Sequence, residues 1–158
     1  MYRLEDDKSK LFYQWSDYDK DMKGIDWLKF DHVVGIYRGS LGMAAHVSNV
    51  RNVPMSIVGF QTRDWQDKKP YWILNNTKRE SIHSYTEGSK ILIVDDIYDT
   101  GYTMKRVIDF VKKQRTKPSP MPTVLCYCLF GTDASELGTN LVYSNYNDGS
   151  WIVFPWER

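Results

Sequence analysis

The chain has 158 residues, enough for one domain with a sizeable core. Apolar residues make up 42% of it, which excludes a disordered chain. With 21 basic and 20 acidic side chains the formal net charge is +1, so no general electrostatic reason to bind nucleic acid exists.

Residues 1–15 mix charges with Tyr2, Phe12, Tyr13 and Trp15, and no periodicity decides their structure. No apolar run approaches the ~18 residues of a membrane helix and the N-terminus is charged, so neither span nor signal peptide is expected. Ser16 followed by Asp17, Asp19 and Asp21 is a helix start, with a hydroxyl cap and acids near the positive dipole end. The spacing predicts a helix over about 17–29, with Tyr18, Met22 and Ile25 inward and Trp27 and Leu28 near its end. His32–Tyr37 is the first core strand. Arg38-Gly39-Ser40 follows, and Leu41, Ala44, Ala45 and Ser48 form the next helical face. This is strand, tight loop, helix.

Met55–Phe60, after Pro54, is a second strand whose alternation leaves the buried face open. From Gln61 to Glu87 the chain turns polar, interrupted only by Tyr71–Leu74, one strand of a hairpin. A long, weakly packed excursion in a compact domain is often a functional lid.

Ile91-Leu92-Ile93-Val94 suits a strand buried on both faces, as in a parallel sheet. Asp95 and Asp96 end it. Asp99-Thr100-Gly101-Tyr102-Thr103 comes next, and then Met104, Val107, Ile108 and Val111 at helical spacing. Ligands of open α/β sheets bind beyond the carboxyl ends of strands, and a loop entering a helix offers N–H groups to an anion. An acidic turn of a receiver-like or phosphatase-like site is the alternative, but it gives Thr-Gly-x-Thr no work. Lys112, Lys113, Arg115 and Lys117 complement the dipole at the helix end. Pro118, Pro120 and Pro122 form a linker. Thr123–Phe130 is another core strand. Its Cys126 and Cys128 face one side, as buried reduced thiols of a cytoplasmic protein do, and no second Cys/His cluster completes a metal site. Leu141–Tyr143 is a short strand. No repeat or boundary divides residues 1–158, so a single domain is expected.

The order aliphatic run, Asp95-Asp96, two residues, Asp99-Thr100-Gly101-x-Thr103 resembles the signature of type I phosphoribosyltransferases, which use 5-phosphoribosyl 1-pyrophosphate (PRPP). The resemblance implies an α/β fold, a mostly parallel sheet flanked by helices with a flexible hood loop over about 61–89. It implies that Asp95 and Asp96 hold the ribose hydroxyls and the outer shell of Mg²⁺, and that Asp99 accepts a proton from the base. Thr100, Gly101, Tyr102 and Thr103 would cradle the 5′-phosphate, with Tyr102 standing where a small residue is common. Arg38, Gly39 and Ser40 match the loop that holds pyrophosphate. One basic hood residue would reach it too. Arg63, Lys68 and Lys69 qualify, and spacing does not choose among them.

The ending Trp151-Ile152-Val153-Phe154-Pro155-Trp156-Glu157 resembles that of the xanthine-guanine and hypoxanthine group of the family. It implies a base-recognition segment over about 131–158. Trp151 would stack on a purine, the backbone of Ile152 would bond its edge, and Glu157 would help hold the metal through water. Trp156 is taken as a core residue. The bacterial xanthine-guanine enzymes carry a lysine for the 6-oxo group upstream of the stacking tryptophan, and the matching stretch Phe130-Gly131-Thr132-Asp133 has none. The expected activity is purine salvage from PRPP and guanine, xanthine or hypoxanthine, in the cytoplasm, with dimers common in the group. A regulatory PRPP- or nucleotide-binding protein of the same fold, or a transferase with another acceptor, is the alternative.

Overall fold

The computed structural model describes residues 10–26, 28–60, 69–75, 78–79, 82–83, 89–114, 121–133 and 140–158. Tyr2, Trp27, Arg63, Lys68, Arg115, Lys117, Pro118 and Pro120 lie outside the described residues, as does most of the expected hood.

In chain order the elements are β1 (Lys10–Phe12), α1 (Trp15–Asp21), a 3₁₀ turn (Met22–Ile25), β2 (His32–Tyr37), α2 (Leu41–Arg51), β3 (Met55–Gly59) and β4 (Tyr71–Leu74). They continue with β5 (Lys78–Arg79), β6 (Ile82–His83), β7 (Lys90–Tyr98), α3 (Tyr102–Lys112), β8 (Thr123–Gly131), β9 (Leu141–Tyr146) and β10 (Trp151–Val153). A 3₁₀ turn over Pro155–Glu157 follows β10.

A six-stranded sheet in the order β4-β3-β2-β7-β8-β9 forms the centre. All its pairings are parallel except that of β3 with β4, which is antiparallel. Ile91, Leu92, Ile93 and Val94 are fully buried because each sheet face is covered. Leu92 and Val94 share one core with Met43, Ala44 and Val47 of α2, while Ile91 and Ile93 share the other with Met104, Val107 and Val111 of α3. That double cover makes the unbroken aliphatic run readable as a parallel strand. From the β2–β7 pair the chain winds outward in both directions, to β3 through α2 and to β8 through α3. The loops after β2 and β7 therefore flank the point where strand order reverses, the usual ligand crevice of an open α/β sheet.

Three expectations are corrected. The first helix begins at Trp15 and is α-helical only to Asp21, not over 17–29. The backbone N–H of Gln14 donates to the Asp17 carboxylate at 3.2 Å, which starts the helix before Ser16. Its end is held by tertiary contact: the Tyr127 hydroxyl donates to the Asp21 carbonyl at 3.0 Å. Secondly, β7 does not stop at the acidic pair but runs to Tyr98, because Asp95, Ile97 and Tyr98 stay in register with Cys128, Phe130 and Gly131 of β8. Thirdly, β9 extends three residues beyond the expected Tyr143, in register with β8.

The chain's ends meet. β1 pairs in parallel with β10, and the Tyr13 N–H extends the ladder to the Val153 carbonyl at 3.0 Å. The Tyr13 hydroxyl donates to Asp21 Oδ2 at 2.8 Å, and Asn145 Nδ2 donates to the same oxygen at 2.6 Å. Those bonds tie the residue that follows β1 to the end of α1 and to β9. Cys126 and Cys128 are both free and buried, as expected. No helix among the described residues is long and apolar enough to cross a membrane.

Candidate active site

The acidic pair is the electrostatic centre. Asp95 is only 9% exposed. Burial first, then the charge of Asp96, push its carboxyl well above the usual carboxylate range. Asp96 is half-buried and its carboxyl is raised too, chiefly by burial, with the negative charge of Glu157 adding to it. Asp95 Oδ1 accepts the Asp96 N–H at 3.0 Å, and Asp96 Oδ1 accepts the Ile97 N–H at 2.8 Å. Two like charges so close together and so poorly solvated resist joint ionisation.

Gly39, on the loop between β2 and α2, lies against this pair. A Cβ there would overlap the Asp96 carboxylate. The Tyr37–Arg38 peptide is cis. Arg38 is exposed, and its guanidinium has no partner among the described residues. Ser40 behaves differently. Its hydroxyl is fully buried, accepts the Ile36 N–H at 2.6 Å and donates to the Ile36 carbonyl at 2.7 Å. Its own N–H bonds the same carbonyl at 3.2 Å. Ser40 thus closes the turn, leaving Arg38 and Gly39 as the groups at the surface.

After β7, Asp99 and Thr100 are exposed. Gly101 takes a left-handed conformation (φ 83°) directly before α3, and a Cβ there would strike the Tyr98 ring. Thr100 Oγ1 accepts the Tyr102 N–H at 3.3 Å. The Asp99 carbonyl accepts the Thr132 hydroxyl at 2.6 Å, and the Tyr98 carbonyl accepts the Thr132 N–H at 3.1 Å. Thr132 therefore fixes the acidic loop to the end of β8. The stretch without the expected lysine has this structural duty.

A family model described as the phosphoribosyl transferase domain matches residues 9–157. The chain belongs to that family. A curated xanthine-guanine phosphoribosyltransferase from Cereibacter sphaeroides is 26% identical over an alignment covering 90% of this chain and 84% of the relative. A crystal structure of a purine phosphoribosyltransferase from Pyrococcus horikoshii superposes with a TM-score of 0.71 at 26% identity, covering 95% of each chain. A Neisseria gonorrhoeae protein solved with bound ppGpp gives 0.67 at 17% identity, over 98% of this chain and 92% of that one, a likeness of fold.

This phosphoribosyltransferase brings its C-terminal segment to the same edge of the sheet. Trp151 is 68% exposed at the start of β10, and Ile152 is buried. Alternate residues of a strand direct their backbone groups to opposite sides. Since the Val153 carbonyl faces β1, the N–H and C=O of Ile152 face the edge that no described strand covers. Glu157 Oε2 accepts the Phe154 N–H at 2.9 Å, which holds the carboxylate in the last turn within electrostatic reach of Asp96. Trp156 stacks on Phe154 at 4.8 Å and is half-buried, as a core residue. Lys69 is exposed at the end of the excursion. The sequence reasoning missed the bracing by Thr132 and the hydroxyl-closed turn at Ser40. A hydroxyl directly after a core strand was the one available signal for Thr132.

Proposed function

We propose that this phosphoribosyltransferase moves the phosphoribosyl group of PRPP onto a ring nitrogen of a purine base, with guanine, xanthine or hypoxanthine as acceptor. The observation that carries the reading is convergence on Asp96: Gly39 packs against its carboxylate, and Glu157, from the far end of the chain, adds its charge there. A purine acceptor is supported by the exposed Trp151 ring, since a flat heteroaromatic stacks on an indole. The printed names of the Cereibacter and Pyrococcus relatives support it as well.

In this reading the C1–O bond to pyrophosphate breaks and a bond from C1 to the base nitrogen forms. The Asp99 carboxylate accepts the proton that the base nitrogen gives up. Thr100, Gly101, Tyr102 and Thr103 hold the 5′-phosphate through N–H groups and hydroxyls at the start of α3. Arg38 and Gly39 take the pyrophosphate, with a basic hood residue. Asp95 and Asp96 orient the ribose hydroxyls.

Mg²⁺ fits these residues. No three His, Cys, Asp or Glu side chains gather as a direct ligand set among the described residues. Mg²⁺ keeps several waters and takes few carboxylates beside substrate phosphates, which suits Asp95, Asp96 and Glu157 as holders through water. When bound it neutralises charge on the departing pyrophosphate. The remaining parts of the reading are one domain over residues 1–158, a cytoplasmic setting and a homodimer. Leu41 and Val50 of α2 are exposed apolar surface that a second copy would cover.

The test is pyrophosphate release from PRPP and Mg²⁺ with guanine, hypoxanthine, xanthine and adenine in turn. Release with a 6-oxopurine is expected. Release with adenine alone overturns the acceptor class. No release with any base, with PRPP still bound, overturns purine transfer.

A further inference from the structure

Tyr98 ends β7 with a polar atom that packing does not require. The residue is only 4% exposed, and its ring lies in the core that α3 covers, with Val34, Ile36, Met104 and Val107. An aliphatic side chain would fill that place. A buried phenol ordinarily finds a hydrogen-bond partner for its hydroxyl. Among the described residues the Tyr98 hydroxyl has none. Its oxygen keeps an opening all the same, since Trp156 Nε1 alone is fully enclosed without a partner among the described residues.

The ring arrives tip first at Gly101, the residue directly before α3. A Cβ built there would meet the Tyr98 oxygen most closely, then Cζ at 2.8 Å and Cε2 at 3.3 Å. Without that Cβ, the phenol oxygen stands against the backbone at the helix start. The first N–H groups of a helix have no acceptor within it. Thr100 Oγ1 takes the Tyr102 N–H, but those of Gly101, Thr103 and Met104 meet no acceptor among the described residues. Burial raises the Tyr98 phenol, with the Cys128 and Cys126 thiols adding to it, so the hydroxyl keeps its proton at neutral pH. A hydroxyl donor without an acceptor therefore stands beside N–H donors without acceptors. An anion with several oxygens satisfies them together.

We infer that the Tyr98 hydroxyl is a further donor to the 5′-phosphate of PRPP and of the nucleotide product, reaching it from the strand side of Gly101. This rests on the proposed phosphoribosyl transfer. The 5′-phosphate takes no part in bond exchange at C1, so the contact is equal in the ground and transition states. Its loss falls on KM for PRPP rather than on kcat.

Tyr98→Phe removes the oxygen and keeps the ring. Titration calorimetry with ribose 5-phosphate, and separately with inorganic pyrophosphate, tests the contact without turnover. The variant is expected to bind ribose 5-phosphate about tenfold more weakly, the loss of one hydrogen bond to a charged group, and pyrophosphate as the parent does. Free of ligand it should melt at or above the parental temperature, because the parent's hydroxyl bonds nothing within the fold. Parental affinity for ribose 5-phosphate overturns the inference, as does an equal loss for pyrophosphate. A lower melting temperature of the ligand-free variant overturns it too, since the hydroxyl would then serve the fold. No binding of ribose 5-phosphate by the parent protein, with pyrophosphate bound, overturns the phosphate site and the inference with it. Failure of purine transfer beside the expected titrations overturns the acceptor reading and leaves the contact standing.

Discussion

Gly39 and Asp96 are separated by more than one βα unit in sequence, yet a single methyl group on Gly39 would overlap the Asp96 carboxylate. The contact locks the loop after β2 to the acidic pair on β7. Gly39→Ala must push the loop or the carboxylate aside. Overpacking of this kind costs about 1–3 kcal/mol of stability. Misplacing reacting groups by about 1 Å can cost on the order of 100-fold in rate. A fall of that size in kcat/KM for PRPP is expected from a variant that still melts cooperatively. Parental kcat/KM would remove the contact from the mechanism.

Asp99 is exposed, while its carbonyl is held by the Thr132 hydroxyl at 2.6 Å. That bond fixes the backbone from which the carboxylate projects. Asp99→Asn keeps the shape and removes the basic oxygen. General-base catalysis contributes roughly 10²–10⁴-fold, so kcat should fall within that range while PRPP affinity is retained. Stopped-flow or steady-state kinetics at saturating PRPP reads the difference. An unchanged kcat sinks the general-base role.

What the sequence disclosed follows from where the physics is local. Ile91–Val94 was legible because a strand covered on both faces needs four apolar residues in a row, and the helix after it shows its buried stripe at Met104, Val107 and Val111. The acidic loop was legible because a glycine in left-handed conformation, hydroxyls and carboxylates recur in a short span. The limits of α1 were not, since its start depends on a Gln14–Asp17 bond and its end on a hydroxyl from Tyr127, far along the chain. β1 was hidden because three residues carry no periodicity and their partner is β10, at the other end of the sequence. Ser40 matched a binding loop by type. Only the bonds to Ile36 reveal that its hydroxyl is spent on the turn.

Trp151 contributes little to packing, being 68% exposed. Truncation should therefore leave thermal stability close to parental and act on the base alone. Loss of aromatic stacking typically costs about 1–3 kcal/mol per base. For Trp151→Ala the KM for the accepted purine should rise correspondingly, with KM for PRPP little changed. A base KM equal to the parent's would take Trp151 out of the site.

His32 and Asp95 impose opposite pH slopes on stability. Burial lowers the His32 imidazole from 6.5 to about 4, and its Nε2 lies 2.9 Å from the Ser56 hydroxyl. Between those two pH values the unfolded chain binds a proton that the folded chain refuses. Stability is full above about pH 6.5 and declines as pH falls to about 4, by about 3 kcal/mol in total. Asp95 runs the other way. Its raised carboxyl keeps a proton that the unfolded chain releases, so its contribution is full below the ordinary carboxylate range and is lost as pH climbs through its own raised value. Urea unfolding across pH 4–7 separates the two. His32→Gln should flatten the fall on the acid side. Asp95→Asn should flatten the opposing slope and leave the ligand-free protein more stable than its parent at pH 7, because a neutral amide carries no buried charge. A less stable Asp95→Asn protein at pH 7 would mean that the acidic pair is already satisfied within the fold, and the case for a cation or ribose hydroxyls completing it would fail.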